Sequence, residues 1–240
     1  MTISFVASSR TSGNMSSSTG VTIAIPTGTV STDGLVAVVN YNGAVSSINV
    51  PSGWTLISGT SLGPDGSNGY TASYTATGTT PGTLWNTTAT GATMGTVEVT
   101  AWRGSNTSTP ITASLIVASA TSSADRPTSA ITANAGDAVL AFWVQTQNAL
   151  VSMGAAPSGY TDISLNVATD GASTGCYSSS YQAGVTAGST GALSHNTNIA
   201  FLNAYSGAIA ISVASASASG IPSASSKRFN SQRHSFGLSR

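Results

Sequence analysis

Short runs of alternating apolar and polar residues, broken by turn residues, make up most of this chain. Val21, Ile23 and Ile25 alternate with Thr22 and Ala24 and stop at Pro26, the period-two pattern of a half-buried strand. Tyr70, Ala72, Tyr74 and Ala76 alternate in the same way with Thr71, Ser73 and Thr75. Leu35-Val36-Ala37-Val38-Val39 differs, being apolar throughout, short, rich in β-branched residues and preceded by the turn pair Asp33-Gly34. That combination predicts a central strand buried on both faces. Further strands are expected at residues 3–7, 47–50, 54–58 and 96–103, set between Ser-, Gly- and Pro-rich turns. No segment combines a helical period with caps, so the predicted class is all-β.

The pattern is played twice. Pro51-Ser52-Gly53-Trp54-Thr55-Leu56-Ile57 returns as Pro157-Ser158-Gly159-Tyr160-Thr161-Asp162-Ile163. Each copy is a turn running into a strand: Pro presets φ, Gly supplies a permissive φ, and an aromatic starts the strand. Other blocks recur in the same order. Leu115–Ser119 matches Ser4–Ser8, Gly136–Phe142 matches Asp33–Val39, Tyr177 and Tyr181 match Tyr70 and Tyr74, and Gly207–Val213 matches Gly95–Ala101. Offsets drift between 103 and 112, as a tandem duplication with small insertions would leave them.

Each copy carries six or seven expected strands, the spacing of an antiparallel β-sandwich unit of Ig-like or jelly-roll type. The expected division is residues 1–108, residues 109–220 and a C-terminal tail, 221–240. The copies either stand as separate sandwiches, the preferred arrangement, or interleave into one larger sandwich. The tail is irregular and too polar to fold alone.

Composition changes the picture in one respect. Charged residues are 6% of the chain, against about 25% in typical soluble proteins, so solubility rests on Ser, Thr, Asn and Gly. The longest apolar run, Ala138–Val144, is far short of the roughly 20 residues of a spanning helix, and no membrane association is expected. The N-terminal residues lack the charged and apolar regions of a signal peptide. Either the Sec route is not used or a signal has been removed. Net charge is zero but segregated. Residues 1–220 hold seven carboxylates and only Arg10, Arg103 and Arg126, whereas the tail holds Lys227, Arg228, Arg233 and Arg240. The tail residues Lys227, Arg228, Phe229, Arg233, Phe236 and Arg240 are the candidate partner-binding set. An acidic groove on a protein partner suits them, while four charges give only modest phosphate affinity.

Candidate chemistry is sparse. Cys176 is the sole cysteine, which excludes an internal disulfide and a Cys-based zinc site and reads as a small core residue. His195 falls at a strand end and His234 in the tail. No HExxH, GxSxG, CxxC or P-loop spacing is present. Glu98, the only glutamate, is a strand residue, and Asp33, Asp65, Asp137 and Asp170 read as turn formers rather than catalytic carboxylates. No catalytic residue, cofactor or metal is therefore expected. The Asp65 loop reads as a hairpin turn sooner than as a Ca²⁺ loop, because it lacks a ring of acidic groups. Trp54, Trp85, Trp102 and Trp143 read chiefly as core. Strict alternation puts Trp102 with Glu98 and Thr100 on the outward face, which would make it a candidate sugar-stacking platform. Threonine stretches such as 75–80 lack the fixed period of an ice-binding array.

Three blocks together carry a resemblance: Pro51–Leu56, Gly95–Gly104 with its Ala101-Trp102-Arg103-Gly104 ending, and Thr109-Pro110-Ile111. In this rhythm, followed by the second Gly-Asp and PSGYT half, the chain resembles Ser/Thr/Gly-rich β-sandwich structural proteins of tailed-bacteriophage particles, over roughly residues 20–213. The second half departs from the pattern, since Ala210-Ile211-Ser212-Val213 lacks the Trp-Arg-Gly ending. The resemblance implies a non-enzymatic virion protein, of head decoration, cement or tail accessory type, made in the host cytoplasm and carried on the particle surface. It implies other virion proteins, major capsid or tail, as partners, homo-oligomers on the particle, and no catalytic residues. The alternative expectation is a carbohydrate-binding or adhesin module recognising a host-surface glycan.

Overall fold

The computed structural model describes residues 2–42, 47–61, 69–78, 81–87, 94–119, 123–125, 127–145, 154–168, 176–201 and 204–215. These residues contain strands and no helix. The first half supplies β1 (Ser4–Asn14), β2 (Val21–Thr22), β3 (Gly34–Asn42), β4 (Ile48–Asn49), β5 (Thr55–Ser61), β6 (Tyr70–Thr77), β7 (Leu84–Thr87) and β8 (Met94–Arg103). The second half supplies β9 (Ile111–Ser119), β10 (Ser123–Asp125), β11 (Thr132–Ala133), β12 (Ala138–Gln145) and β13 (Thr161–Ala168). It continues with β14 (Cys176–Gln182), β15 (Gly188–Ser189), β16 (Asn196–Phe201) and β17 (Ala204–Ile211). The predicted all-β class is the observed one.

Each half builds one five-stranded antiparallel sheet, ordered β1-β8-β3-β6-β5 in the first and β13-β14-β12-β17-β9 in the second. Smaller sheets cover one face of each: β2-β7-β4 in the first half, β11-β15 and β10-β16 in the second. Among the described residues no sheet mixes strands of the two halves. The halves nevertheless share an apolar layer, because the remaining faces of the large sheets meet. Val36, Val38 and Trp102 of the first half lie in one cluster with Leu140, Phe142, Tyr177 and Ile209 of the second. The outer layers are local: Leu35, Ala37, Val39 and Tyr74 pack on Trp85 in the first half, and Val139, Ala141 and Trp143 pack on Ile131 and Leu193 in the second.

This stacking explains the central strands. All eight residues of β12 and of β17 are buried, as are Gly95–Trp102 of β8. A strand covered on both faces must be apolar or hydrogen-bonded at every position, which is why Leu35–Val39 and Ala138–Val144 do not alternate. Each fully buried Leu, Ile or Phe there contributes about 1.5–3 kcal/mol.

Register shows how closely the halves repeat. Gly34 lies opposite Trp102, and Ala138 opposite Ile211. An extra residue bulges out of β1 between Phe5 and Ala7, and another out of β9 between Ile111, which pairs with Ile211, and Ala113, which pairs with Ala210. A second matched pair of bulges interrupts β5 between Leu56 and Ser58, and β13 between Asp162 and Ser164. Bulges are specific features of a sheet, so their recurrence at matching places is stronger support for a repeat than composition.

The same register corrects the alignment read from the sequence. With Asp33 set on Asp137, Cys176 takes the place of Tyr70 and Ser180 that of Tyr74, since Tyr41–Tyr70 and Gln145–Cys176 are corresponding pairs. Gly95 corresponds to Ala204 rather than to Gly207, and Glu98 to Gly207. The matched tyrosines thus face opposite ways, Tyr74 into the first half's outer core and Tyr177 into the shared layer. A slip of one residue reverses every side chain in a strand, and small-residue sequences match equally well at several slips.

Candidate functional site

Most of the described ionisable groups fall into separate clusters built into the frame; Asp162 is exposed. Asp33 and Asp137 close equivalent corners just before β3 and β12. The Asp33 N–H donates to Val30 O at 3.0 Å while its carboxylate accepts the Val30 N–H at 3.0 Å. Asp137 repeats this with Asn134, at 3.2 and 2.9 Å. Their remaining partners differ. Arg103 donates to both Asp33 oxygens, at 3.2 and 3.0 Å, and to Gly28 O at 2.9 Å. Asp137 instead accepts from Thr112, the bulged residue of β9, at 2.8 Å and from the Val213 N–H at 3.1 Å.

This accounts for the Trp-Arg-Gly ending and its absence from the second half. Arg103 serves the Asp33 corner, and Gly104, at φ +77°, turns where a Cβ would meet Thr2 O at 2.5 Å. Asp33 and Asp137 are both fully buried, so removing either carboxylate opens a hole in the corner and takes the acceptor from the N–H groups it ties down. Asp137→Ala and Asp33→Ala are each expected to cost about 2–3 kcal/mol, measured by urea unfolding. A loss within error of zero would mean the carboxylates do not hold the corners.

The repeated PSG turns are also corners. Gly53 and Gly159 take φ of 88° and 84°, and the Trp54 and Tyr160 N–H groups donate to Pro51 O and Pro157 O at 3.3 and 2.9 Å. Trp54 sits edge-on to Trp85 with centroids 5.4 Å apart, and its indole N–H donates to Gly82 O at 2.7 Å. All four tryptophans are buried. Trp102 is the one that the sequence placed outward. Its face of the sheet is covered by the second half, where Tyr181 meets it edge-on at 5.7 Å, and its N–H donates to Thr100 at 2.9 Å. Alternation was read correctly there, but the face it defined is internal.

Glu98 lies on that same hidden face. It is 1% exposed, and three hydroxyls of the second half donate to it: Ser164 to Oε1, and Tyr177 and Ser179 to Oε2 at 2.9 and 2.5 Å. Arg10, its cross-strand neighbour on β1, donates to Ser164 Oγ at 2.6 Å from the exposed edge. Burial raises the Glu98 carboxyl above its ordinary range, against the pull of the three hydroxyls and the Arg10 charge. The same burial, with the nearby carboxylate, pushes the Tyr177 phenol well up. Nothing in the sequence marks this cluster beyond an isolated glutamate in a strand, since its other members lie more than sixty residues away.

His195 occupies a third environment, the second half's outer core. It is 1% exposed with its ring 4.6 Å from Trp143, and neither ring nitrogen has a hydrogen-bond partner among the described residues. Burial holds it below its ordinary pKa, partly opposed by the Asp162 charge. Cys176 is a buried thiol in the same core, in no disulfide and pushed by burial up to about 11, which leaves it a poor nucleophile at neutral pH. Glu98, Asp33, Asp137 and His195 share no hydrogen-bond partner among the described residues. No group of three His, Cys, Asp or Glu among those residues could hold a metal ion, and no described helix is long and apolar enough to cross a membrane.

Two surface openings lie among the described residues. One, of about 610 Å³, is lined by Thr2, Ser31, Thr77, Arg103, Ser105 and Ala214, and the one cation among its described lining residues is held by Asp33. The other, of about 280 Å³, lies on the outer side of the second half beside the PSG turn, where Ser158, Tyr160 and Gln182 face Thr186 and Ser189. The tail residues Lys227, Arg228, Phe229, Arg233, Phe236 and Arg240 lie outside the described residues, as do the Asp65 loop, Asp170 and His234. Comparison with known proteins finds no matching family model, no similar curated protein and no similar solved structure.

Proposed function

We propose that this protein is a non-enzymatic structural component of a bacteriophage particle, a head decoration, cement or tail accessory protein. Its body would comprise the repeats 1–108 and 109–220, and residues 221–240 would attach it to a neighbouring capsid or tail protein at the particle surface. The observation that carries this reading is how the described chemistry-bearing side chains are used. Asp33, Arg103 and Asp137 lock corners, Glu98 joins the halves, and His195 and Cys176 sit in a core. A frame with its two large sheets covered on both faces suits a load-bearing module exposed to varied salt and pH, because few of its groups are free to titrate or be screened. The sequence resemblance and the segregated basic tail point the same way.

Deleting 221–240 is the test. The truncated chain should fold, with an unfolding midpoint close to that of the full chain, and should no longer co-sediment with particles. Truncated protein that assembles onto particles as well as the full chain would sink the attachment reading.

A further inference from the structure

The duplicated corner is sealed in one half and open in the other. In the first half Gly82 lies over it, accepting from the Trp54 indole at 2.7 Å and donating to Ser52 O at 2.7 Å, so that Trp54 is 7% exposed. Gly82 fits so closely that a Cβ there would stand 3.1 Å from Pro51 Cβ and Ser52 N. Ala76 occupies the neighbouring position on β6, opposite Leu35. In the second half Tyr160 replaces Trp54 and Gln182 replaces Ala76, opposite Val139. There the corner opens into the 280 Å³ groove. An apolar, closed corner has become a polar, open one.

From this groove we infer that the second half carries a binding site for a neutral saccharide, with Tyr160 as the stacking surface and Gln182 as the hydroxyl-reading group. Ala133, Val185 and Leu193, all buried, are among the residues that line the groove, and no charged side chain lines it among the described residues. The Tyr160 ring is half-buried against the outer core, which fixes its plane, and its hydroxyl has no protein partner among the described residues. Burial pushes that phenol up to about 12, so it stays a neutral donor at working pH. The Gln182 amide lies over the turn, its nitrogen 3.6 Å from where a Gly159 Cβ would be. A carboxamide offers two donors and an acceptor, matching the paired hydroxyls of a sugar ring. A fixed aromatic face with a few convergent polar groups and no charge suits a molecule with one apolar face and many hydroxyls. A phosphate-bearing ligand would find no cation among the described lining residues. The groove's volume sits at the lower end for ligand sites, about 300 Å³, so one sugar residue is the unit it fits.

This inference is independent of attachment through the tail, and it is tested on the free full-length chain. ¹H–¹⁵N NMR titration with glucose, galactose, mannose and N-acetylglucosamine should give saturable shifts for at least one sugar. Those shifts should centre on the amides of 158–160, 182 and 186–190, with a Kd on the order of 1 mM. Tyr160→Ala and Gln182→Ala should each weaken binding about tenfold or more, while Leu56→Ala, exposed on the first half, should leave it unchanged. If Tyr160→Ala loses its dispersed spectrum, Gln182→Ala carries the test alone. No saturable shift with any of the four sugars, or shifts that survive the groove variants, would overturn the site. Tighter binding of glucose 6-phosphate than of glucose would overturn its neutral character.

Discussion

Glu98→Ala should destabilise the protein by about 3–5 kcal/mol, although it removes neither a large apolar group nor a catalytic one. Three buried hydroxyls, of Ser164, Tyr177 and Ser179, aim at this carboxyl from the other half of the chain. Removing it leaves them facing a hole in the layer between the sheets. Leaving a buried donor unsatisfied costs about 1–3 kcal/mol, and rotation of the hydroxyls toward one another recovers only part. Glu98→Gln keeps the shape and an acceptor, so it should cost far less.

The pH dependence separates the two variants further. Above the ordinary Glu value of 4.5, the unfolded chain has released a proton that the folded chain still holds. Stability from this group is therefore full below that value, and it is lost as pH rises toward and through the raised one. Glu98→Gln should abolish that loss. His195 acts with the opposite sign: its depressed value makes stability fall as pH drops below its ordinary 6.5. Because His195 is common to both proteins, the difference between their unfolding curves across pH isolates Glu98. Identical pH dependence in the two would show that the Glu98 carboxyl is not shifted by burial.

Gly207→Val should be similarly damaging, at about 3 kcal/mol. Gly207 is the counterpart of Glu98, and a Cβ there would collide with the ring of Phe142. The ring is fully buried in the shared layer, so it can yield only by displacing its neighbours. The first half solves the same place the other way round, with small Val38 opposite large Glu98. Phe142→Val should therefore rescue part of the Gly207→Val loss, with a coupling of about 1–3 kcal/mol in a double-mutant cycle. Additive losses would show that the two positions do not share their space.

These two positions also show how far the sequence could be read. Alternation and turn residues placed the strands and the all-β class, because strand periodicity and φ preferences are local properties of the chain. The PSG turns and the Asp33 and Asp137 corners were legible for the same reason, being made by residues three or four apart. The order of the repeated blocks was legible too, but their register was not. Runs of Ala, Ser, Thr and Gly match at several slips, and only hydrogen-bond partners decide among them.

What lies on a strand's second face was beyond the sequence. Trp102 and Glu98 were correctly set on the face opposite Val97 and Val99, and that face looked like surface. It is interior because a sheet more than sixty residues away covers it. Likewise Tyr160 and Trp54 begin their strands in the same local way, yet one is sealed by Gly82 and the other borders a groove. The sequence by itself determined strands, corners and repeat order, which follow from neighbouring residues. Tertiary packing alone decided which faces are buried, because burial depends on what arrives from a distant part of the chain.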